Sequence, residues 1–147
     1  MKRWLKLASA LALMAVLTTG CAVNRATATV DPAARLDTLK TLHVKTLEKD
    51  TRGTDQLIAK NLRERGFKVT TGAQAPGPID GVVTYADKWF WDITMYMLEL
   101  TVQIKEPKTD YPLATGNSFH TSLTRKSPPE MVNEVMGNIF KDNKGAK

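Results

Sequence analysis

The chain has 147 residues, 42% hydrophobic and 24% charged, with 21 basic residues against 15 acidic ones and one cysteine. Such a composition excludes a disulfide-stapled domain, a multi-span membrane protein and a disordered chain: one cysteine cannot pair within the chain, only one long apolar run exists, and apolar residues are plentiful beyond it. Length alone sets an expectation of one domain.

Residues 1–20 carry Lys2, Arg3 and Lys6 ahead of the uncharged run Leu7 to Gly20, the charge-then-apolar order of an export signal. Setting them aside leaves 18 basic residues against 15 acidic, near +3 instead of +6. Cys21 directly follows Thr18-Thr19-Gly20, and a small residue before a cysteine at the end of such a run resembles the lipobox of bacterial lipoproteins. The resemblance implies that the signal is cut before Cys21, that its thiol is diacylated and that the new amino terminus is acylated too. A cut elsewhere in the Thr-Gly-Cys-Ala region would instead leave an unpaired, reactive thiol. Two or three acyl chains at ~0.8 kcal/mol per buried methylene make an anchor effectively permanent. Ala22 stands where an aspartate would, by the same resemblance, retain a lipoprotein in the inner membrane, so the expected location is the periplasmic leaflet of the outer membrane.

Residues 21–35 are small and polar, with Ala-Thr-Ala-Thr at 26–29 and Asp31-Pro32. They read as a lipidated tether, with a short helix after Pro32 left open. A domain over 36–141 follows. Alternation predicts a strand over 41–47, with Leu42 and Val44 on one side and His43 and Lys45 on the other. A helix is expected from Thr54 as N-cap, with Asp55 in its first turn, Leu57, Ile58 and Leu62 as its stripe and Gly66 as its stop. Phe67 to Thr71 reads as a strand and 72–78 as a loop. Residues 79–105 are β-rich, with Leu98, Leu100, Val102 and Ile104 alternating against polar neighbours. A turn at Glu106 to Asp110 leads into a returning strand with Leu113, Thr115, Asn117, Phe119, Thr121 and Leu123 on one face. Ser127-Pro128-Pro129-Glu130 is a capping-box start for a last helix, whose apolar face is Met131, Val132, Val135, Met136, Ile139 and Phe140. A polar tail, 142–147, ends the chain. The expected fold is α+β: a two-layer sandwich with a mostly antiparallel sheet of four to five strands and two helices on one face.

This element order behind a lipobox resembles the small α/β modules of envelope lipoproteins: the LPS-assembly lipoprotein, the curli-secretion lipoprotein and the amino-terminal domain of the TolB type. It covers about residues 38–141, implies a non-catalytic scaffold that docks proteins or lipid, and transfers no binding residue.

Little points to catalysis, a metal or a cofactor. His43 and His120 lack ligand spacing, and His120 falls on the polar phase of its strand, which predicts a surface position. Ser118 and His120 lie two apart without the Gly-x-Ser-x-Gly elbow. Asp87 and Asp92, five apart, define no acid/base pair. Trp89-Phe90-Trp91, followed by Ile93, Met95, Tyr96 and Met97, is the most distinctive constellation. Neighbours on a strand point to opposite faces, so these residues cannot all enter one core. Either a bulge or turn lets another part of the chain cover them, or they form a partner or lipid surface, with Trp89 and Trp91 on one side and Phe90 on the other. Trp89, Phe90, Trp91 and Tyr96 are therefore candidates, together with the basic pair Arg125 and Lys126; Arg63, Arg65 and Lys68 form a second basic group. An exported lipoprotein has little reason to meet nucleic acid. The expected function is a lipid-anchored periplasmic scaffold or adaptor that binds an envelope protein, the alternative a lipid or glycolipid binder.

Overall fold

The computed structural model describes residues 23–142, so Cys21, the signal segment and the end of the polar tail lie outside the described residues. Six strands form one sheet: β1 (Asn24–Val30), β2 (Thr41–Lys45), β3 (Lys68–Gly72), β4 (Gly81–Asp92), β5 (Thr94–Lys105) and β6 (Pro112–His120). Two helices, α1 (Thr54–Glu64) and α2 (Pro128–Asp142), complete an α+β fold. The strand order is β1-β6-β5-β4-β2-β3. From β1 to β4 the neighbours are antiparallel, while β2 runs parallel to both β4 and β3. The sheet is thus larger than the expected four to five strands, and mixed.

The extra strand comes from the stretch read as a tether. Residues 24–30 pair with β6 along their whole length. No apolar period marks them, because a strand at a sheet edge needs little inward bulk: only Ala28 and Val30 of β1 pack against the core. Their threonines are β-branched and suit extended backbone.

One core joins sheet and helices. It takes Leu42 and Val44 from β2, Ile58 and Leu62 from α1, Leu100, Val102 and Ile104 from β5, and Met131, Val132, Val135, Met136 and Ile139 from α2, all buried. The apolar stripe expected for α2 is the face that enters this core. Phe140, at its end, meets Phe67 with ring centroids 5.4 Å apart. At the start of α2, Glu130 Oε2 accepts from the Ser127 N–H at 2.8 Å and from the Ser127 hydroxyl at 2.6 Å.

The start of α1 differs from expectation. Gly53, with φ 69°, is the N-cap, and Thr54 lies buried in the first turn. The capping oxygens come from Asp50, whose carboxylate accepts from the N–H groups of Arg52, Gly53 and Asp55 at 2.9, 2.8 and 3.1 Å. A carboxylate one turn upstream serves the free amides of a helix start as well as an N-cap hydroxyl does. Thr54 is left free to donate to Asp87 at 2.7 Å. Gly66, with φ 97°, stops the helix as expected, its N–H donating to the Arg63 carbonyl at 2.9 Å.

On β6 the face toward α2 is the opposite of the apolar-looking one. Ala114, Gly116, Ser118 and His120 point inward, and Leu113, Thr115, Asn117 and Phe119 outward. Close approach of the helix explains this: a Cβ at Gly116 would lie 2.8 Å from Val135 Cγ1 and 3.0 Å from Ile139 Cγ1. Gly116→Ala should therefore lower stability by about 1–3 kcal/mol through overpacking. Urea denaturation against wild type measures it, and an unchanged midpoint would mean that α2 sits further from the sheet. His120, expected at the surface, is only 2% exposed.

Candidate functional site

Arg25, Phe119, Glu99 and Lys88 form one row across β1, β6, β5 and β4. Beyond it β6 soon ends, and β4 and β5 continue alone as a two-stranded ribbon with Trp89 opposite Met97, Phe90 opposite Tyr96, Trp91 opposite Met95 and Asp92 opposite Thr94. Ile93 makes the turn with φ 61°. That conformation is an outlier for a β-branched residue.

A bulge between Lys88 and Trp89 starts the ribbon and inserts Leu98 as an extra residue on β5. Trp89 remains at the ribbon's root, packed against the core. Its indole N–H donates to Asp87 Oδ2 at 2.9 Å, and the Arg52 guanidinium stacks 4.2 Å from its ring centroid. Trp91, two residues on, is 65% exposed because no helix reaches that far. The expectation that the two tryptophans share one environment therefore fails, although alternation places them on one side. Phe90 meets Tyr96 edge-on at 6.1 Å. Arg125 lies 4.8 Å from the Tyr96 ring centroid and donates from Nη1 to Thr94 Oγ1 at 2.8 Å, which buries Tyr96. Of the six candidates, Phe90, Tyr96 and Arg125 form one cluster, Trp91 stands at the tip and Trp89 at the root.

Lys126 belongs elsewhere. It pairs with Glu134 of α2, whose carboxylate also accepts from Ser118 Oγ at 2.5 Å and lies 2.7 Å from His120 Nε2. Burial opposes ionisation of Glu134, yet the hydrogen bonds from Lys126, Ser118 and His120 prevail and lower its pKa to about 2. Ser118 and His120 both turn to Glu134 instead of to each other, so they do not form a nucleophile–base pair. No local spacing in the sequence reveals this cluster, because Glu134 and His120 meet only through the packing of α2 on β6.

A third polar cluster braces the start of α1. Tyr85 donates to Asp50 Oδ2 at 2.5 Å and Thr46 to Asp55 Oδ2 at 2.6 Å. Burial and the Asp50 carboxylate push the Tyr85 hydroxyl well above its ordinary range. These groups satisfy one another around a helix start. Among the described residues no group of three or more His, Cys, Asp or Glu side chains could hold a metal ion, and no helix is long and apolar enough to cross a membrane.

Val23 ties the amino-terminal end to the same end of the sheet as the ribbon. Its carbonyl accepts from the Thr121 N–H at 3.1 Å and from the Thr124 hydroxyl at 3.1 Å. At the far end a groove of about 1620 Å³ runs between Val30, Leu36, Phe67 and Phe140, with Arg65 and Lys68 beside it. The basic group expected near the end of α1 divides there, because Arg63 turns to the β3 edge and donates to the Val69 carbonyl at 3.0 Å.

No protein-family model and no curated protein matches the chain. Among solved structures it is similar to the PelC dodecamer from Paraburkholderia phytofirmans, with a TM-score of 0.59 at 15% identity over 80% of this chain and 98% of that one. A variant of the same PelC gives a TM-score of 0.58 over 80% and 97%. A PDZ domain protein from Parabacteroides distasonis gives 0.50 at 14% identity, over 93% of this chain and 39% of that one. At these identities the likeness is one of fold.

Proposed function

We propose that the protein is a non-catalytic, lipid-anchored scaffold of the bacterial envelope, held through Cys21 in the periplasmic leaflet of the outer membrane, which docks a protein partner by strand addition to β1. The observation that carries this reading is the outer edge of β1. Asp31 N–H donates to the Leu113 carbonyl and Thr121 N–H to the Val23 carbonyl, which puts the odd-numbered residues of β1 in hydrogen-bonded pairs with β6. Asn24, Ala26, Ala28 and Val30 then direct their N–H and C=O groups away from the sheet, and no described element pairs with them. The β3 edge is guarded by Arg63, whereas β1 has no proline and, beyond Asn24 and Arg25, only Ala, Thr and Val side chains, an open template for an added strand. The PelC neighbours assemble as dodecamers, which supports further copies of this chain as the partner. Ala26→Pro tests it, since proline removes an outward N–H without touching the β6 ladder. Cross-linked oligomers of the full chain in mild detergent should disappear in the variant while its melting temperature holds. Oligomers that persist unchanged, or a wild type that is monomeric throughout, would refute strand addition.

The groove at the far end favours a second reading, a lipid or glycolipid ligand, because its floor is apolar and Lys68 and Arg65 suit an anionic headgroup. Native mass measurement of co-purified lipid decides it.

A further inference from the structure

We infer that the tip of the β4–β5 ribbon, Phe90, Trp91, Ile93 and Met95, inserts into the same membrane leaflet that holds the acylated Cys21; this rests on the anchor proposed above and not on strand addition. The row Arg25, Phe119, Glu99 and Lys88 supplies a common baseline. Arg25 lies four positions after Cys21, and Asp92 four positions after Lys88. At ~3.3 Å per residue both segments rise at most ~13 Å above the row, and Ile93 stands higher still. Because β1 replaces a long tether, Cys21 cannot stand further from the domain than the tip does. Where residues 21–23 are less than fully extended, the tip passes the level of the lipid-bearing residue. Sideways, three strand spacings of ~4.8 Å put Arg25 ~14 Å from Lys88, at the same end of the sheet as the ribbon.

The chemistry of the tip suits that position. Phe90, Trp91, Ile93 and Met95 are 52%, 65%, 86% and 44% exposed, and tryptophan favours the interface between headgroups and acyl chains. Asp92 is the only carboxylate between residues 88 and 98. Arg25, Arg52 and Lys88 stand around the ribbon's root, at the height of phosphates if the tip is immersed. Ile93 supplies an independent sign. An isoleucine at φ 61° costs stability that no packed contact returns, where asparagine or glycine would fit the turn without strain. Contact with acyl chains gives that side chain a purpose.

After removal of residues 1–20, Trp89 and Trp91 are the only tryptophans, so fluorescence reads the tip. The full chain, purified from membranes, is reconstituted into phosphatidylethanolamine–phosphatidylglycerol vesicles with brominated acyl chains. Wild-type emission should be quenched by the bromolipid, and Trp91→Phe should remove most of that quenching. Ile93→Asn should at least halve it without lowering the melting temperature, which separates insertion from folding. Acylated, vesicle-bound protein whose emission resists bromolipid but yields to a water-soluble quencher would overturn insertion and leave the anchor standing. The same holds if resistance to both quenchers shows a protein covering the tip. Absence of acyl mass on Cys21 would overturn the anchor and the height argument together.

Discussion

Met136→Asp is expected to unfold the domain. Met136 sits fully buried on α2, among Met131, Val132, Val135 and Ile139. These residues form the helical half of the core, and β6 offers them Ala114 and Gly116 with no room to move. A carboxylate there has no cation to meet and either remains charged at prohibitive cost or takes up a proton and keeps an unsatisfied hydroxyl. The expected loss exceeds about 4 kcal/mol, a large part of the 5–15 kcal/mol typical of whole domains. Met136→Leu, close in volume, should cost less than about 1.5 kcal/mol. Melting curves of the pair check it: an aspartate variant that melts within a degree or two of wild type would mean that α2 does not pack on the sheet.

The second large effect centres on Glu134. Its pKa falls from an ordinary 4.5 to about 2 in the folded protein. A carboxylate whose folded pKa is depressed stabilises the fold above its unfolded pKa, and that stabilisation is lost as pH falls through the folded value. The window therefore runs from about pH 5 down to about pH 2, and the difference corresponds to roughly 3 kcal/mol. In Glu134→Gln the Lys126 ammonium, which pairs with the carboxylate in wild type, loses its counter-charge. The variant should be less stable than wild type at pH 7, and the gap should narrow toward pH 2. Other carboxylates, Asp50 and Glu130 among them, are also held below their ordinary range, so the difference between variant and wild type is the quantity to follow. Denaturant midpoints at pH 7, 4 and 2 that fall in parallel would contradict the role given to Glu134.

Helix α2 and strand β5 were legible because burial there is one-sided and bulky, so periodicity carries the information. β1 was not, since an edge strand with alanine facing inward looks like a linker. On β6 the inward residues are small because α2 crosses closely, and the sequence alone favours the bulkier, outward side. Nor does any local pattern announce the parallel pairing of β2 with β3 and β4, which depends on the helix crossing between strands. The aromatic segment was recognisable as a departure from one-core patterning. Its division into a packed Trp89 and a projecting Trp91 depends on where the rest of the sheet stops, a property of other strands.

The proposed anchor and β1 also meet in mechanics. The first rung of β1 joins Asn24 to His120, 96 residues apart, a closure worth about 4 kcal/mol of chain entropy, so this strand depends on the rest of the fold being in place. Once it is paired, a pull on its amino-terminal end, such as the proposed anchoring would exert, runs along the strand axis. Ladder hydrogen bonds stand perpendicular to that axis, so the seven residues of β1 share the load in shear instead of opening rung by rung as they would if peeled from the side. Tension at the proposed anchor would therefore meet the sheet in its mechanically stronger direction.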